Sequence, residues 1–178
     1  MKQKICIILL LLFKLNASYS QKTIKEYWDS KHKLVRIEYQ VNAAGVYNGF
    51  YRTYYAIGGY EKTGFYTNGQ KTGLWSDYKK GASKPYWQVK LVFVDGDVYK
   101  LMEKEWFDFG VNSGKLRQWT EWDATKKAQD YGQPENFNNG FLVTRYVVYS
   151  TSQNGYIKLR DFEFGKYDRT YDENGVLQ

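Results

Sequence analysis

Two short stretches decide how this sequence folds: residues 49–54 read GFYRTY and residues 73–78 read GLWSDY. Both follow the pattern glycine, any residue, aromatic, any two residues, tyrosine, and equivalent positions lie 24 residues apart. Self-similarity at a fixed spacing of this size is typical of proteins built from repeated structural units. The two stretches therefore predict a repeat.

The segment between the two stretches predicts β-hairpins. Two aromatic-rich runs are separated by Gly58-Gly59, and the second is closed by Asn68-Gly69. Both dipeptides favour the tight turns that join antiparallel strands. The aromatic residue of each unit is expected to stack on its counterpart in the neighbouring hairpin, because glycine lets the strands approach. One hairpin cannot bury such a face alone, so successive copies should join into one sheet.

Weaker copies flank these units. Upstream, Tyr27 and Tyr39 lie 27 residues before Tyr54 and Tyr66, and a small-residue loop at 42–45 accounts for the longer spacing. Downstream, the pattern recurs less strictly at residues 106–116 and 165–177.

The middle of the chain still favours strands, at residues 89–94 and 140–149, with Asp95-Gly96 as a further hairpin turn. Residues 124–137 show neither helical nor strand periodicity, so a long loop with at most one helical turn is expected there.

Residues 68–78, NGQKTGLWSDY, followed by Gly81, resemble the MORN-repeat variant of many bacterial proteins. That variant has an Asn-Gly turn, a lysine, and then glycine, any residue, tryptophan, any two residues, tyrosine. Good matches lie between residues 39 and 81, and partial matches lie at 27–39 and 171–177. Good coverage therefore extends to about a third of the chain. The resemblance implies hairpin repeats. It also implies an antitoxin-like role, since members are often labelled antitoxins.

Composition agrees with strands: 19% of residues are aromatic, with 18 tyrosines, 16 glycines and only 2 prolines. The predicted fold is all-β, with successive antiparallel hairpins forming an elongated, solenoid-like sheet that ends in irregular capping hairpins. Residues 21–178 are expected to form this single domain.

The first 20 residues are typical of a secretory signal peptide. Lys2 and Lys4 precede an apolar run at 5–13, and the small residues Ser18 and Ser20 favour cleavage after position 20. A bilayer-spanning helix needs about 20 apolar residues, so a short uncleaved anchor is the weaker alternative. A secreted or periplasmic protein is expected.

Cleavage would also remove Cys6, the only cysteine, so no disulfide is expected in the mature chain. Loss of three lysines lowers the 26 basic residues to 23 against 19 acidic ones, and the net charge from +7 to +4. The remaining charges are mixed along the chain. Neither nucleic-acid nor membrane-surface binding is therefore favoured.

Catalytic patterns are weak, so no enzyme activity, cofactor or metal site is expected. Three pairs of carboxylates stand at alternate positions, so a strand would put both members of a pair on the same face. Glycosidases use two carboxylates in this general relation, but the solvent-exposed face of a strand explains the pairs better. The lone His32 lies in an expected turn, and the acidic turns at 95–97 and 172–175 do not complete a calcium-binding series. The carboxylate pairs are Glu103/Glu105, Glu121/Asp123 and Asp161/Glu163.

Tryptophans outside the repeat register are the candidate binding residues, since exposed indoles anchor protein interfaces or stack on sugars. Trp119 and Trp122 are the main candidates, because residues three apart on a strand face opposite sides unless a bulge intervenes. Trp106 and Trp87 complete the set, whereas Trp75 is expected in the internal stack.

The leading functional hypothesis is an exported, non-catalytic binding or scaffold protein that uses its extended repeat surface to contact another protein or an envelope component. Two alternatives stay open. One is a carbohydrate-binding module with exposed aromatic residues, and the other is an exported immunity protein that masks a toxin.

Overall fold

The protein forms one open antiparallel sheet of eleven strands, arranged in the order in which they occur along the chain. The computed structural model describes residues 21–107, 110–131, 133, 140–152 and 155–178. The expected signal peptide, residues 1–20, lies outside the described residues. The strands are β1 Lys22–Tyr27, β2 Val35–Val41, β3 Tyr47–Tyr54, β4 Tyr60–Thr67, β5 Gln70–Tyr78, β6 Pro85–Val94, β7 Asp97–Trp106, β8 Leu116–Lys127, β9 Phe141–Ser152, β10 Gly155–Glu163 and β11 Tyr167–Thr170.

The all-β prediction is confirmed, and the hairpin turns lie where glycine-containing dipeptides indicated them. Asn68 and Gly69 have φ values of 49° and 83°, and Asp95 and Gly96 have 51° and 96°. Positive φ at both central residues is the geometry of two-residue turns whose twist matches that of the strands. His32 also has a positive φ, in the turn between β1 and β2.

A row of mostly polar residues crosses one face of the sheet from edge to edge. Directly opposed residues of antiparallel strands project to the same face, and the register aligns one residue of each strand. We call this set the polar row: Lys25, Glu38, Arg52, Thr63, Ser76, Gln88, Lys104, Trp119, Val147, Asp161 and Arg169.

The opposite face carries a more apolar row. Successive strand residues alternate faces, so Tyr51, which precedes Arg52, lies on the face opposite the polar row. We call it the aromatic row. It includes two tyrosines and a tryptophan in its first half and a tyrosine and a phenylalanine in its second: Ile24, Tyr39, Tyr51, Gly64, Trp75, Val89, Glu103, Thr120, Tyr146, Phe162 and Asp168.

Repeat-equivalent aromatics meet across β4. Tyr51 of β3 and Trp75 of β5 have ring centroids 5.9 Å apart, with Gly64 of β4 between their strands. A Cβ atom built on Gly64 would lie 2.2 Å from the Trp75 indole. The absent side chain therefore makes room for the ring, and Trp75 is only 3% exposed. The second repeat tyrosines, Tyr54 and Tyr78, are bridged by Tyr60 at 5.2 and 5.9 Å.

The buried apolar core is small and follows the sheet, without a second layer in the described part of the chain. Its densest part lies where Ala128–Tyr131, a single 3-10 turn after β8, covers the start of β9. Here Gln133 bonds both the N–H and the carbonyl of Val143 through its side chain, at 2.7 and 2.9 Å. The buried apolar residues are Val41, Trp75, Val89, Trp122, Ala128, Leu142, Val143 and Val147.

The segment expected as a loop is partly strand. β8 continues to Lys127 before the 3-10 turn begins, so regular structure extends further than its polar sequence indicated. Residues 132 and 134–137 of that segment lie outside the described residues. None of the helical structure that is described has the length and hydropathy of a membrane-spanning helix.

Candidate binding surfaces

Trp119 is the centre of a cationic cluster on the polar face. Its opposed residue Lys104 places the ammonium nitrogen 4.2 Å from the indole centroid, and the Arg145 guanidinium carbon lies 5.4 Å from it. A cation over an indole face is attracted by the negative face of the ring. The indole is half-buried, and we call Lys104, Trp119 and Arg145 the tryptophan cluster.

Arg145 connects this cluster to β10. Its guanidinium nitrogens lie 3.4 Å from an Asp161 carboxylate oxygen and 3.1 Å from one of Glu163. Lys158 approaches the other Asp161 oxygen to 2.8 Å, and Lys166 pairs with Glu163. The cluster is therefore held by a network of ion pairs.

This network controls the ionisation of Asp161, which is 6% exposed. Burial raises the pKa of its carboxyl, but the hydrogen bond from Lys158 and the charges of Lys158 and Arg145 outweigh burial and leave the pKa below its usual value. A hydrogen bond from Lys166 is the main reason that the pKa of Glu163 is also lowered. Both groups are thus ionised at neutral pH.

Two N–H groups of the tryptophan cluster have no acceptor. Trp119 Nε1 and Arg145 Nε are shielded from solvent and make no hydrogen bond to a described residue. An unsatisfied buried donor costs about 1 to 3 kcal/mol.

The other three candidate tryptophans have different surroundings. Trp122 is 7% exposed, and it lies beside a register shift at which Thr144 is the extra residue of the neighbouring strand β9. Trp87 donates its indole N–H to Glu103 at 3.0 Å. Trp106 lies at the end of β7 and lines a surface cleft. The structure thus separates the four residues and does not gather them into one site.

Five of the six carboxylates in the three pairs, all except Glu121, make an ion pair or a hydrogen bond that the structure describes. Glu103 accepts hydrogen bonds from Trp87 and Lys100, at 3.0 Å each. Glu105 lies 3.9 Å from Arg117. A hydrogen bond from the Thr125 side chain is the largest cause lowering the pKa of Asp123. A general acid needs a raised pKa, and among these carboxyls the resolved shifts, at Asp123, Asp161 and Glu163, are all downward.

No group of three histidine, cysteine or acidic side chains in the described ranges is arranged to hold a metal ion. His32 lies on the surface, with its ring 4.7 Å from that of Tyr27.

Several residues of these surfaces were not singled out from the sequence. Arg145 and Lys104 are scattered, and only the strand register brings them to Trp119. Lys84 and Tyr86, in the cleft beside Trp106, carried a detectable signal: residues 79–84 read KKGASK, a lysine-rich turn without an acidic residue.

No protein-family model matches the chain, and no curated protein sequence matches it.

Proposed function

We propose that this chain is an exported, non-catalytic binding or scaffold protein of the MORN-variant type, which presents one face of its sheet to another protein. One observation carries the proposal. The sheet is a single layer across eleven strands, and the register aligns the polar row from Lys25 to Arg169, with Ser76, Val147 and Asp161 as its buried members. Such a row extends over many strands, as protein interfaces do, whereas small-molecule sites are local clefts.

The tryptophan cluster is the anchor of this surface. Tryptophan and arginine are enriched among the residues that dominate binding energy in interfaces. The exposed part of the half-buried Trp119 indole, with Lys104 and Arg145 beside it, would offer a partner an aromatic surface and positive charge. Ion pairs already fix the Arg145 side chain, so little side-chain entropy would be lost on binding.

The test is a capture experiment with the mature chain, residues 21–178, on envelope proteins, followed by affinity measurement with each purified captured protein. Trp119→Ala is expected to weaken binding by about tenfold or more, since truncation of an interface anchor commonly costs this much. Trp28→Ala is the matched control, because Trp28 is 49% exposed at the far end of the sheet. Circular dichroism would establish that both variants fold. Equal affinities for the parent protein and the Trp119 variant would refute the assignment.

A carbohydrate-binding role is the second candidate, favoured by the cleft that Trp106 lines. There, aromatic side chains and lysines meet at one end of the sheet.

A further inference from the structure

A small pocket lies on the face of the aromatic row, where the hairpin of β3 and β4 meets β5 and β6. Its floor takes one residue from each of three neighbouring strands, because Thr53 is opposite Lys62 and Lys62 is opposite Asp77. Each of the three stands two positions from a member of the aromatic row, so all project to that face. The space above them measures about 320 Å³, which is near the lower limit of small-molecule sites, about 300 Å³. We call it the tyrosine pocket.

Two β-bulges turn further side chains towards the tyrosine pocket. The pairing of β3 with β4 skips Glu61, and the pairing of β5 with β6 skips Tyr86. A bulge interrupts the alternation of side chains between the two faces and aims one of them anew. Glu61 therefore lines the same pocket as its neighbour Lys62, and Tyr86 joins them from β6. Every residue of the wall segments 51–62 and 77–86 is described.

Tyr55 is held in a fixed position as one wall of the pocket. Its hydroxyl donates a hydrogen bond to the Tyr78 carbonyl at 2.8 Å. Its backbone N–H donates to the Gly59 carbonyl at 3.1 Å, and its own carbonyl accepts from the Gly58 N–H at 2.9 Å. A side chain that is fixed before binding loses little entropy when a ligand arrives.

Tyr55 also has the least engaged ring of this pocket. Its side chain is half-buried, and within the described part of the chain its ring contacts neither another ring nor a cation. By contrast, the Tyr51 ring lies 5.9 Å from that of Trp75, and the Lys79 ammonium lies 4.5 Å from the centre of the Tyr86 ring. The apolar face of the Tyr55 ring is thus the stacking surface that the pocket offers.

The polar side chains of the pocket include both donors and acceptors. The Thr53 hydroxyl and the Glu61 carboxylate make no hydrogen bond or ion pair to a described residue. Lys62 lies 3.4 Å from Asp77, and an ammonium group has three N–H donors, so it can serve a ligand as well. A ligand rich in hydroxyl groups matches this set, because each hydroxyl can donate and accept.

The charges of the pocket favour a neutral ligand. Its lining contains two carboxylates, Glu61 and Asp77, and one ammonium group, Lys62. The carboxylates repel an anion, and the ammonium group in the floor disfavours a cation. Burial and, second, the charge of Glu61 raise the pKa of the Tyr55 hydroxyl, so this side chain stays neutral at physiological pH.

We propose that the tyrosine pocket binds a neutral hexose residue of a polysaccharide. A pyranose ring has an apolar face of C–H groups that fits the Tyr55 ring. Its hydroxyls would donate to Glu61 and accept from Lys62, and hydrogen bonds to charged groups are the strong ones. The inference rests on the carbohydrate-binding candidate and names its sugar class. It does not depend on the tryptophan cluster, and the pocket shares only Tyr86 with the cleft beside Trp106.

Nuclear magnetic resonance titration of the mature chain with methyl glycosides of glucose, mannose and galactose tests the proposal. The uronic-acid and amino-sugar counterpart of each hexose are the comparison probes, since each differs from the hexose in charge. At least one neutral hexose is expected to bind with millimolar affinity. It should bind at least about fivefold more tightly than its uronic-acid and amino-sugar counterparts, because the pocket disfavours charge of either sign.

Two substitutions locate the site. Tyr55→Ala should weaken hexose binding by about tenfold, whereas Tyr55→Phe keeps the ring and should retain most of the affinity. Glu61→Gln should weaken hexose binding several-fold and also reduce the preference for the hexose over its uronic-acid counterpart, because one repelling carboxylate is gone. Glu61 is exposed, so this variant keeps the proposal testable if the Tyr55→Ala variant fails to fold.

Glu173→Gln and Trp119→Ala are the matched controls, since both residues lie outside the pocket, and both variants should bind the hexose as the parent protein does. Three results would overturn the proposal: no binding of any of the three hexoses at millimolar concentration, equal binding of the uronic-acid counterpart, or parent-like binding by a folded Tyr55→Ala variant. Protein capture is measured on the same Trp119 variant, so the protein-binding and hexose-binding proposals fail separately.

Discussion

The two halves of the sheet share a backbone plan but differ in the contacts that surround one tryptophan of each half, Trp75 and Trp119. In β2–β5, tyrosine rings stack around Gly64 and Trp75, as in the Tyr47 and Tyr66 pair at 5.0 Å. In β7–β10, the contacts around Trp119 are cation–aromatic contacts and ion pairs through Arg145. Cross-strand side-chain pairs stabilise a sheet of hairpins, and both aromatic pairs and pairs of opposite charge can fill this role.

The strands also differ in length between the two halves. β2–β5 have 7 to 9 residues, whereas β7–β10 have 9 to 12. Longer strands add ladder hydrogen bonds and cross-strand pairs, which can replace the close aromatic packing of the shorter ones. This explains how the repeat pattern fades after residue 81 while the architecture continues.

The largest expected effect is in the tyrosine half. Trp75→Ala should lower the free energy of unfolding by about 3 to 5 kcal/mol, because it removes a buried aromatic ring and leaves a cavity. Urea denaturation measures the loss. His32→Ala, on an exposed turn, should change stability little. Equal midpoints for the two variants would contradict the packing described for Trp75.

Gly64→Ala should cost about 1 to 3 kcal/mol, because the new methyl group overlaps the Trp75 ring. Gly64 is the one glycine of the described residues whose φ any residue can adopt, so this cost reports packing rather than backbone strain. A double-mutant cycle sharpens the test. In a Trp75→Ala background the same substitution should cost much less, and additive losses would show that the ring and the glycine do not interact.

In the charged half, Arg145→Met should lower the free energy of unfolding by less than Trp75→Ala does, by about 1 to 3 kcal/mol, since Asp161 keeps Lys158 as a partner. The difference in the free energy of unfolding between the parent protein and this variant should also be smaller in 1 M salt, because screening weakens partly exposed ion pairs. Denaturation at low and high salt measures both effects. If salt reduced the stability loss caused by Trp75→Ala as much as the loss caused by Arg145→Met, the two halves would not differ in their dependence on charge.

The hairpins, their turns and the stack of repeat aromatics could be predicted from the sequence, because glycine-containing turns and alternating strands leave local signals. Gly64 was harder to identify. Its role depends on a register shift in β4 and β5 that places the Trp75 ring over it. The surfaces were least predictable. Lys104 and Arg145 reach Trp119 only through strand pairing, and the register shift beside the buried Trp122 has no recognisable sequence signal.

The smallest expected effect concerns pH. The pKa of the Asp161 carboxyl is lowered in the folded protein, so the unfolded chain binds a proton more readily. The stability that Asp161 contributes is therefore fully present above its unfolded pKa of about 3.9. It is lost as the pH falls below that value and through the folded pKa.

Asp161→Asn removes this carboxyl, so stability should fall less steeply between pH 5 and pH 3 in the variant than in the parent protein. Urea denaturation across that range gives the slopes. Asp29→Asn is the control from the tyrosine half. The pKa of Asp29 is lowered mainly by the backbone N–H of Leu34 and not by a cation, so its contribution should persist in 1 M salt. The Asp161 contribution should shrink in the same salt, because Lys158 and Arg145 supply it through charge. If both slopes responded equally to salt, the ion-pair network would not be what distinguishes the second half of the sheet.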